Sequence, residues 1–517
     1  MNARISLGPS SASRPPEVLA AGLVLAGLLV LRLVAIALDP NQLYADETQY
    51  WIWSRDLDWG YFSKPPMIAW VIAATTALFG NDDWAVRLAA PFLHTVTATL
   101  LGLTAARLFG ARAGMWTAIG WATLPAVWLS ATVITTDAVL MVFWSAGLYC
   151  LVRLRERPEW TSAIVLGAAC GLGFLSKYAM IYFLVGTGLA ILADRPVRRA
   201  LVGLKGLAAG LIALAIVMPN LAWNAAHDFA TVSHTAANAN WSGSLFNPGE
   251  LLELLLDQFG VFGPAFFPVL IVAAVEGLRQ EAFESAMRRR VVLALYSAPA
   301  LAVVSIQAFI SRAHANWAAS AYAAGLILTV AFLLNGPKWR RWVLWGSVAF
   351  HSAAGLLMMA AAASVPLSET LGIANAFKRV RGWDVTAERL TEAFERSGAD
   401  ALAFDNRNDF HQMQRYAQGI DAPLYMWLRH AGPISHAEQG WPLPEGIEGE
   451  ILVVSERPEE IPVIRRDFER FERFGEITVD LGGDRERHYE LFLAQGYERE
   501  ERSAAYEETI RSEREDG

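Results

Sequence analysis

Cysteine is nearly absent from this chain. Cys150 and Cys170 are its two cysteines in 517 residues, and both fall inside apolar runs. A disulfide or cysteine–metal framework is therefore not indicated, and buried free thiols are expected. Charge is scarce too. Charged residues make up 18% of the sequence, against about 25% in an ordinary soluble chain. No basic stripe appears, which argues against nucleic acid as a partner. The net charge of −8 reflects acids concentrated after Val365.

What is abundant is apolar. Hydrophobic residues are 54% of the chain, with 19 Trp and 25 Phe, and rings of this kind gather at membrane interfaces. Hydropathy and segment length predict a mostly α, polytopic membrane protein of about eleven spans, followed by a small α/β domain. The predicted spans are 18–38, 84–109, 114–134, 138–154, 161–175, 178–193, 200–218, 258–278, 291–310, 315–334 and 343–363. The stretch 66–80 is apolar but short and follows two prolines, so it reads as an interfacial or re-entrant helix. Residues 1–17, rich in Ser and Pro, read as a disordered cytoplasmic lead. The first apolar segment is too long for a cleaved signal and reads as a retained anchor.

Positive charge supplies the sidedness. Arg107 with Arg112, Arg153 with Arg155 and Arg157, Arg195 with Arg198 and Arg199, Arg288 to Arg290, and Lys338 with Arg340 and Arg341 mark alternate loops. The positive-inside rule makes these loops cytoplasmic. The intervening loops, and the C-terminal part, then face outward, into the periplasm of a Gram-negative cell. Residues 18–364 form the membrane domain, 365–497 the periplasmic α/β domain, and 498–517 a mixed-charge tail that is disordered or a lone helix.

This sidedness brings Asp46, Glu47, Lys64, Asp137, Lys177, Arg312 and His314 to one face. Ionisable groups near a bilayer are costly and are functional candidates by default. Asp46-Glu47, followed by Tyr50 and Trp51, suits a general base on an acceptor hydroxyl or amine, or stabilisation of an oxocarbenium-like carbon. The plain alternative is that Asp46 caps a helix. Lys64 precedes Pro65-Pro66, where an ammonium can pair a lipid phosphate or simply snorkel. Asp137 is a second carboxylate, with Thr136 or Asp137 a potential cap. Lys177 sits at a tight hairpin, and Arg312 at another can fork onto phosphate oxygens. The long loop 219–250 carries Trp223, Asn224, His227 and His234, a set suited to stacking on a sugar and hydrogen bonding to it. His227, His234 and His314 could also hold a divalent metal, although their spacing matches no compact ligand motif. In the C-terminal part, 400–405 and 450–455 read as buried strands and 387–396 and 409–417 as helices. The cluster Asp405-Asn406-Arg407 reads as a surface turn.

The ordered set Asp46-Glu47 with Trp51, Ser63-Lys64-Pro65-Pro66, Thr136-Asp137, Ser176-Lys177-Tyr178 and His314-Ala315-Asn316-Trp317 resembles bacterial members of glycosyltransferase family 39. These are GT-C-fold enzymes related to protein O-mannosyltransferases and aminoarabinose–lipid A transferases, and the likeness covers roughly residues 18–365. The resemblance implies inverting transfer of a sugar from a polyprenyl-phosphate carrier to an acceptor outside the membrane. It implies that Asp46 holds the catalytic acidic position and Asp137 the second one, with Lys64, Lys177 and Arg312 on the carrier phosphate. It leaves Glu47 as a further acidic candidate and Tyr50, Trp51, Trp223, Asn224, His227 and His314 for the sugar or acceptor.

The chemistry is consistent with that. A polyprenyl phosphate leaves readily, so the protein must hold it with cations, exclude water and deprotonate the acceptor. No Gly-rich phosphate loop or dinucleotide fingerprint occurs, so a nucleotide-sugar donor is not indicated. The expected acceptor is lipid A or another envelope glycolipid, with a protein acceptor as the alternative. A transporter or flippase of a lipid-linked sugar would instead show inverted repeats and midplane charges. A noncatalytic assembly factor would not depend on Asp46.

Overall fold

The computed structural model describes residues 15–241, 245–280, 288–483, 485–503, 505–506, 508 and 510. Most of the predicted lead, and the end of the predicted tail from residue 511, lie outside these residues.

Each predicted span falls on helix. By length and apolarity, six helices can cross a membrane, or up to eight if each of two bent pairs is one span. The difference from the predicted eleven has local causes. Pro125 follows the extended Leu124 and splits one predicted span into Ala111–Thr123 and Pro125–Ser130, since proline disfavours helix in the residue before it. Trp160–Ser176 and Ala321–Leu334 are apolar but short, as is Met67–Phe79, the predicted interfacial segment. The helices Pro248–Val261 and Phe266–Arg279 meet at a 103° bend. The predicted loop 219–250 is largely helical: Leu204–Ala226 continues through Pro219, and Ala230–Ala237 follows.

The core of the membrane domain forms where the helices 89–109, 111–123, 136–156 and 321–334 meet. Leu101, Trp121, Trp144, Phe183, Tyr296 and Leu326 are among its buried side chains. Small residues allow the close crossings: a Cβ on Gly114 would meet the carbonyl of Gly102 at 2.7 Å, the kind of backbone approach that packs membrane helices.

The C-terminal domain is α/β, as expected. Strands β1 (Ala401–Phe404), β2 (Leu424–Met426), β3 (Ile451–Ser455), β4 (Phe468–Asp480) and β5 (Glu486–Tyr497) make one sheet in the order β2-β1-β3-β5-β4. β1 runs parallel to β2 and β3, and the β4–β5 hairpin is antiparallel. β1 and β3 are buried on both faces, as a parallel central pair requires. One face packs on the helices Trp383–Ser397 and Arg407–Tyr416, the other on Val463, Ile464 and Trp427. The start of the predicted free tail is tied down: Arg502 donates to Asp467, and Tyr506 and Ile510 are buried in the second face.

The two domains meet along the first loop. The helix Arg407–Tyr416 lies on the helix Ala45–Arg55, where Thr48 donates to Gln412 (3.1 Å) and Gln412 donates to the Leu43 carbonyl (2.9 Å). Tyr416 donates to Asp83 (2.6 Å) and accepts from the Leu43 amide (2.7 Å). The soluble domain therefore sits on the face that carries Asp46.

Candidate active site

Asp46 does not cap its helix. The helix Ala45–Arg55 starts after Tyr44, and Glu47 reaches back to accept the Tyr44 amide (3.0 Å), which is the return half of a capping box. Glu47 is fully buried and held by Arg87, whose Nη2 lies 2.9 Å from it, and it also accepts the Ile134 amide (2.9 Å). Arg87 extends the network to Asp39 (2.9 Å) and to the carbonyls of Asn41 and Gln42. Glu47 is thus a buried counter-ion that ties the first loop to the loop before Asp137, and not a free acid. Its neighbour Asp46 is exposed and makes no hydrogen bond among the described residues.

Asp137 is likewise free of capping duty, because Thr135 caps its helix by accepting the Ala138 amide. Its carboxylate receives Lys177, with Nζ 2.8 Å from both oxygens, and Asn316 at 3.2 Å. Three segments far apart in sequence therefore converge on one carboxylate. Lys177 and Asp137 are about one-fifth exposed.

Lys64 stands in a turn closed by the Tyr61 amide on the Lys64 carbonyl (3.1 Å). On one side Thr231 donates to the Tyr61 carbonyl (2.6 Å) and the Phe62 ring meets His234 at 5.5 Å. On the other side His436 of the soluble domain stands edge-on to Tyr61 at 6.4 Å and to Trp53 at 5.6 Å. The Lys64 ammonium makes no ion pair among the described residues. Burial lowers its pKa and so do Lys177 and Arg407, while Asp46 and Asp137 oppose them. Burial raises the Tyr50 hydroxyl well above its usual pKa, reinforced by Asp46, Asp137 and Glu47. Tyr50 therefore stays neutral.

Other predicted contacts are engaged elsewhere. Trp51 lies under the Arg415 guanidinium, 4.4 Å from the ring centroid, at the domain junction. Trp223 covers Gly60, where a Cβ would run into its ring, and donates to Asp58 (2.5 Å). Asn224 is buried and donates to the Tyr178 hydroxyl and the Asn220 carbonyl. Each of the three thus packs against its neighbours around the site. His227 is exposed and stacks on Trp223 at 4.1 Å. His314 and Arg312 are exposed on the segment that delivers Asn316. His227, His234 and His314 stand on separate elements beside Trp223, Phe62 and Trp317. Among the described residues no three His, Cys, Asp or Glu gather for a metal.

Arg87 and Asn316 have roles here that their sequence neighbourhoods do not assign. An arginine inside the apolar run 84–109 was the available signal for Arg87, since a buried guanidinium needs a carboxylate partner. Asn316 stood in a quoted motif without a role.

One face of the helical membrane domain thus carries an exposed acid, a second acid paired with lysine and an unpaired lysine. The family profile described as "Dolichyl-phosphate-mannose-protein mannosyltransferase" matches residues 63–223. The chain is 34% identical over 437 residues to the lipid A galacturonosyltransferase RgtD of Rhizobium johnstonii, covering 84% of this chain and 90% of that one. It is 27% identical over 179 residues to an undecaprenyl phosphate-alpha-4-amino-4-deoxy-L-arabinose arabinosyl transferase of Pseudomonas savastanoi, covering 32% of this chain and 33% of the other. The crystal structure of ArnT from Cupriavidus metallidurans bound to undecaprenyl phosphate superposes with a TM-score of 0.62 at 18% identity, covering 91% and 97% of the two chains. The protein belongs to this family of polyprenyl-phosphate-sugar-dependent GT-C glycosyltransferases.

Proposed function

We propose that the protein transfers a galacturonosyl group, with inversion, from a polyprenyl-phosphate carrier to lipid A or lipopolysaccharide core at the outer face of a bacterial inner membrane. The observation that carries this reading is the exposed, unpaired Asp46 carboxylate in one electrostatic cluster with the unpaired Lys64 ammonium. The likeness to a galacturonosyltransferase over most of the chain supports the choice of sugar.

In the proposed reaction, an acceptor hydroxyl attacks the anomeric carbon from the side opposite the phosphate. The new C–O bond forms as the bond to the phosphate oxygen breaks, and the carrier phosphate leaves with the electron pair. Asp46 takes the acceptor proton. Lys64 meets the negative charge gathering on the phosphate as a point charge. Asp137, fixed by Lys177 and Asn316, orients the sugar hydroxyls, and Tyr50 donates a hydrogen bond beside them.

The test uses purified full-length protein in lipid nanodiscs with polyprenyl-phosphate galacturonic acid and lipid A. Mass spectrometry should find lipid A heavier by one galacturonosyl group. Translocation of the donor across vesicles without sugar transfer would sink the enzyme reading in favour of a transporter.

A further inference from the structure

The loop that leads into Lys64 is gripped from one place. The polar end of the helix Leu204–Ala226 and the start of the helix Ala230–Ala237 supply one contact to each of four consecutive residues. Trp223 donates to the Asp58 carboxylate (2.5 Å), Asn220 donates to the Trp59 carbonyl (2.6 Å), the Trp223 ring lies on Gly60, and Thr231 donates to the Tyr61 carbonyl (2.6 Å). Tyr61 in turn closes the turn that carries Lys64, its amide on the Lys64 carbonyl (3.1 Å).

The same helix end grips a second segment. Tyr178, the neighbour of Lys177, donates its hydroxyl to the Asn220 side chain (2.8 Å) and accepts from Asn224 (3.1 Å). The Asn220 amide is therefore bonded to both segments at once, to the loop before Lys64 and to the hairpin of Lys177. It is wholly buried, at 0% exposure. A buried amide is costly unless paired, and here both its oxygen and its nitrogen are paired. An amide suits the place because it donates and accepts together. A carboxylate would set an acceptor against the Trp59 carbonyl, and an alkyl group would leave that carbonyl and the Tyr178 hydroxyl unsatisfied.

We propose that Asn220 is a positioning residue for the carrier phosphate. It fixes the turn of Lys64 against the hairpin of Lys177, so that the free ammonium and the Asp137–Lys177 pair keep one spacing. This inference rests on the reading of Lys64 as the phosphate ligand. Asn220 acts through Lys64 and does not touch the carrier itself.

The experiment titrates full-length protein in lipid nanodiscs with polyprenyl phosphate alone, which makes the readout independent of the sugar. It compares wild type, Asn220→Asp, Tyr178→Phe, Lys64→Ala and the two double variants with Lys64→Ala, and records the thermal unfolding midpoint of each. Asn220→Asp should weaken carrier binding about tenfold, and Tyr178→Phe, which keeps the bond to Trp59, about threefold. In the Lys64→Ala background neither change should weaken binding further by more than about twofold, because their effect passes through Lys64. A role confined to stability would lower the unfolding midpoint and weaken binding equally in both backgrounds, and that result would overturn the proposal. So would carrier binding by Asn220→Asp equal to that of wild type. If Asn220→Asp does not fold, Tyr178→Phe, which removes a single hydroxyl, decides by the same comparison. Lys64→Ala that binds the carrier like wild type would sink the phosphate reading and this inference with it. Weakened binding in Lys64→Ala with additive losses in the double variants would sink the inference alone.

Discussion

The ammonium of Lys177 lies 2.8 Å from both carboxylate oxygens of Asp137. A bidentate pair at a hairpin, joined by Asn316 from a third segment, couples the two charges. The effects of Asp137→Ala and Lys177→Ala should therefore be non-additive. Each single change should lower kcat/KM, and the double variant should be little worse than the worse single one, with a coupling of about 0.5–3 kcal/mol. A four-variant cycle of kcat/KM measures it. Simple additivity would mean that Lys177 serves the phosphate on its own.

Glu47 and Arg87 form a different kind of pair. Both side chains are almost wholly buried, at 1% and 3% exposure, so removing one charge strands the other. Breaking such a pair costs about 3–5 kcal/mol. Glu47→Gln should lower the thermal unfolding midpoint of the detergent-solubilised protein markedly. A variant that unfolds like wild type but has lost turnover would return Glu47 to the catalytic set.

These two pairs show what the sequence could and could not reveal. The acids and lysines themselves were legible, because charge next to apolar runs is expensive and stands out. Their partners were not. Glu47 looks like half of a catalytic doublet until Arg87, 40 positions on, is seen to neutralise it. The eleven apolar segments were legible as helices, whereas the break at Pro125 and the shortness of Trp160–Ser176 were not. In the soluble domain the buried runs of β1 and β3 were read correctly. The longer β4 and β5 were missed, because charged residues interrupt β4 throughout and β5 offers only the short apolar run Leu491–Ala494 among polar neighbours.

Domain docking should depend on pH. Burial pushes the pKa of His436 down to about 4, whereas an unfolded histidine titrates near 6.5. Between those values the undocked or unfolded state binds the extra proton and the docked state does not. Docking is therefore fully stable above about pH 6.5 and weakens as pH falls toward 4. Hydrogen exchange of 45–55 and 435–441, corrected for intrinsic rates, should be faster at pH 5 than at pH 7.5. His436→Phe should flatten that difference. Identical protection of wild type at both pH values would contradict the assignment.

Sidedness can be tested with thiol chemistry, since Cys150 and Cys170 are both buried. Asp421→Cys in the soluble domain should react with a membrane-impermeant maleimide added to cells with a permeabilised outer membrane. Arg157→Cys, in a basic loop, should react only after the inner membrane is opened. The reverse labelling pattern would invert the proposed orientation.

The last prediction concerns Asp46 itself. Its carboxylate is exposed, uncapped and unpaired, while Glu47 beside it is locked by Arg87 and Asp137 by Lys177. A general base needs a free lone pair within reach of the acceptor, and of the three acids only Asp46 keeps both oxygens free of hydrogen bonds among the described residues. Asp46→Asn keeps size and hydrogen-bonding capacity but cannot take a proton. Turnover should fall by about a hundred- to ten-thousand-fold, the usual worth of positioned general-base catalysis. Binding of polyprenyl phosphate alone should change little, because the phosphate is assigned to Lys64, and the midpoint of thermal unfolding should stay that of wild type, because no hydrogen bond is lost. Single-turnover rates together with carrier binding by titration separate these quantities. Near-normal turnover in Asp46→Asn would move the base to Asp137, and weakened carrier binding with an intact chemical step would make Asp46 a residue that positions the donor.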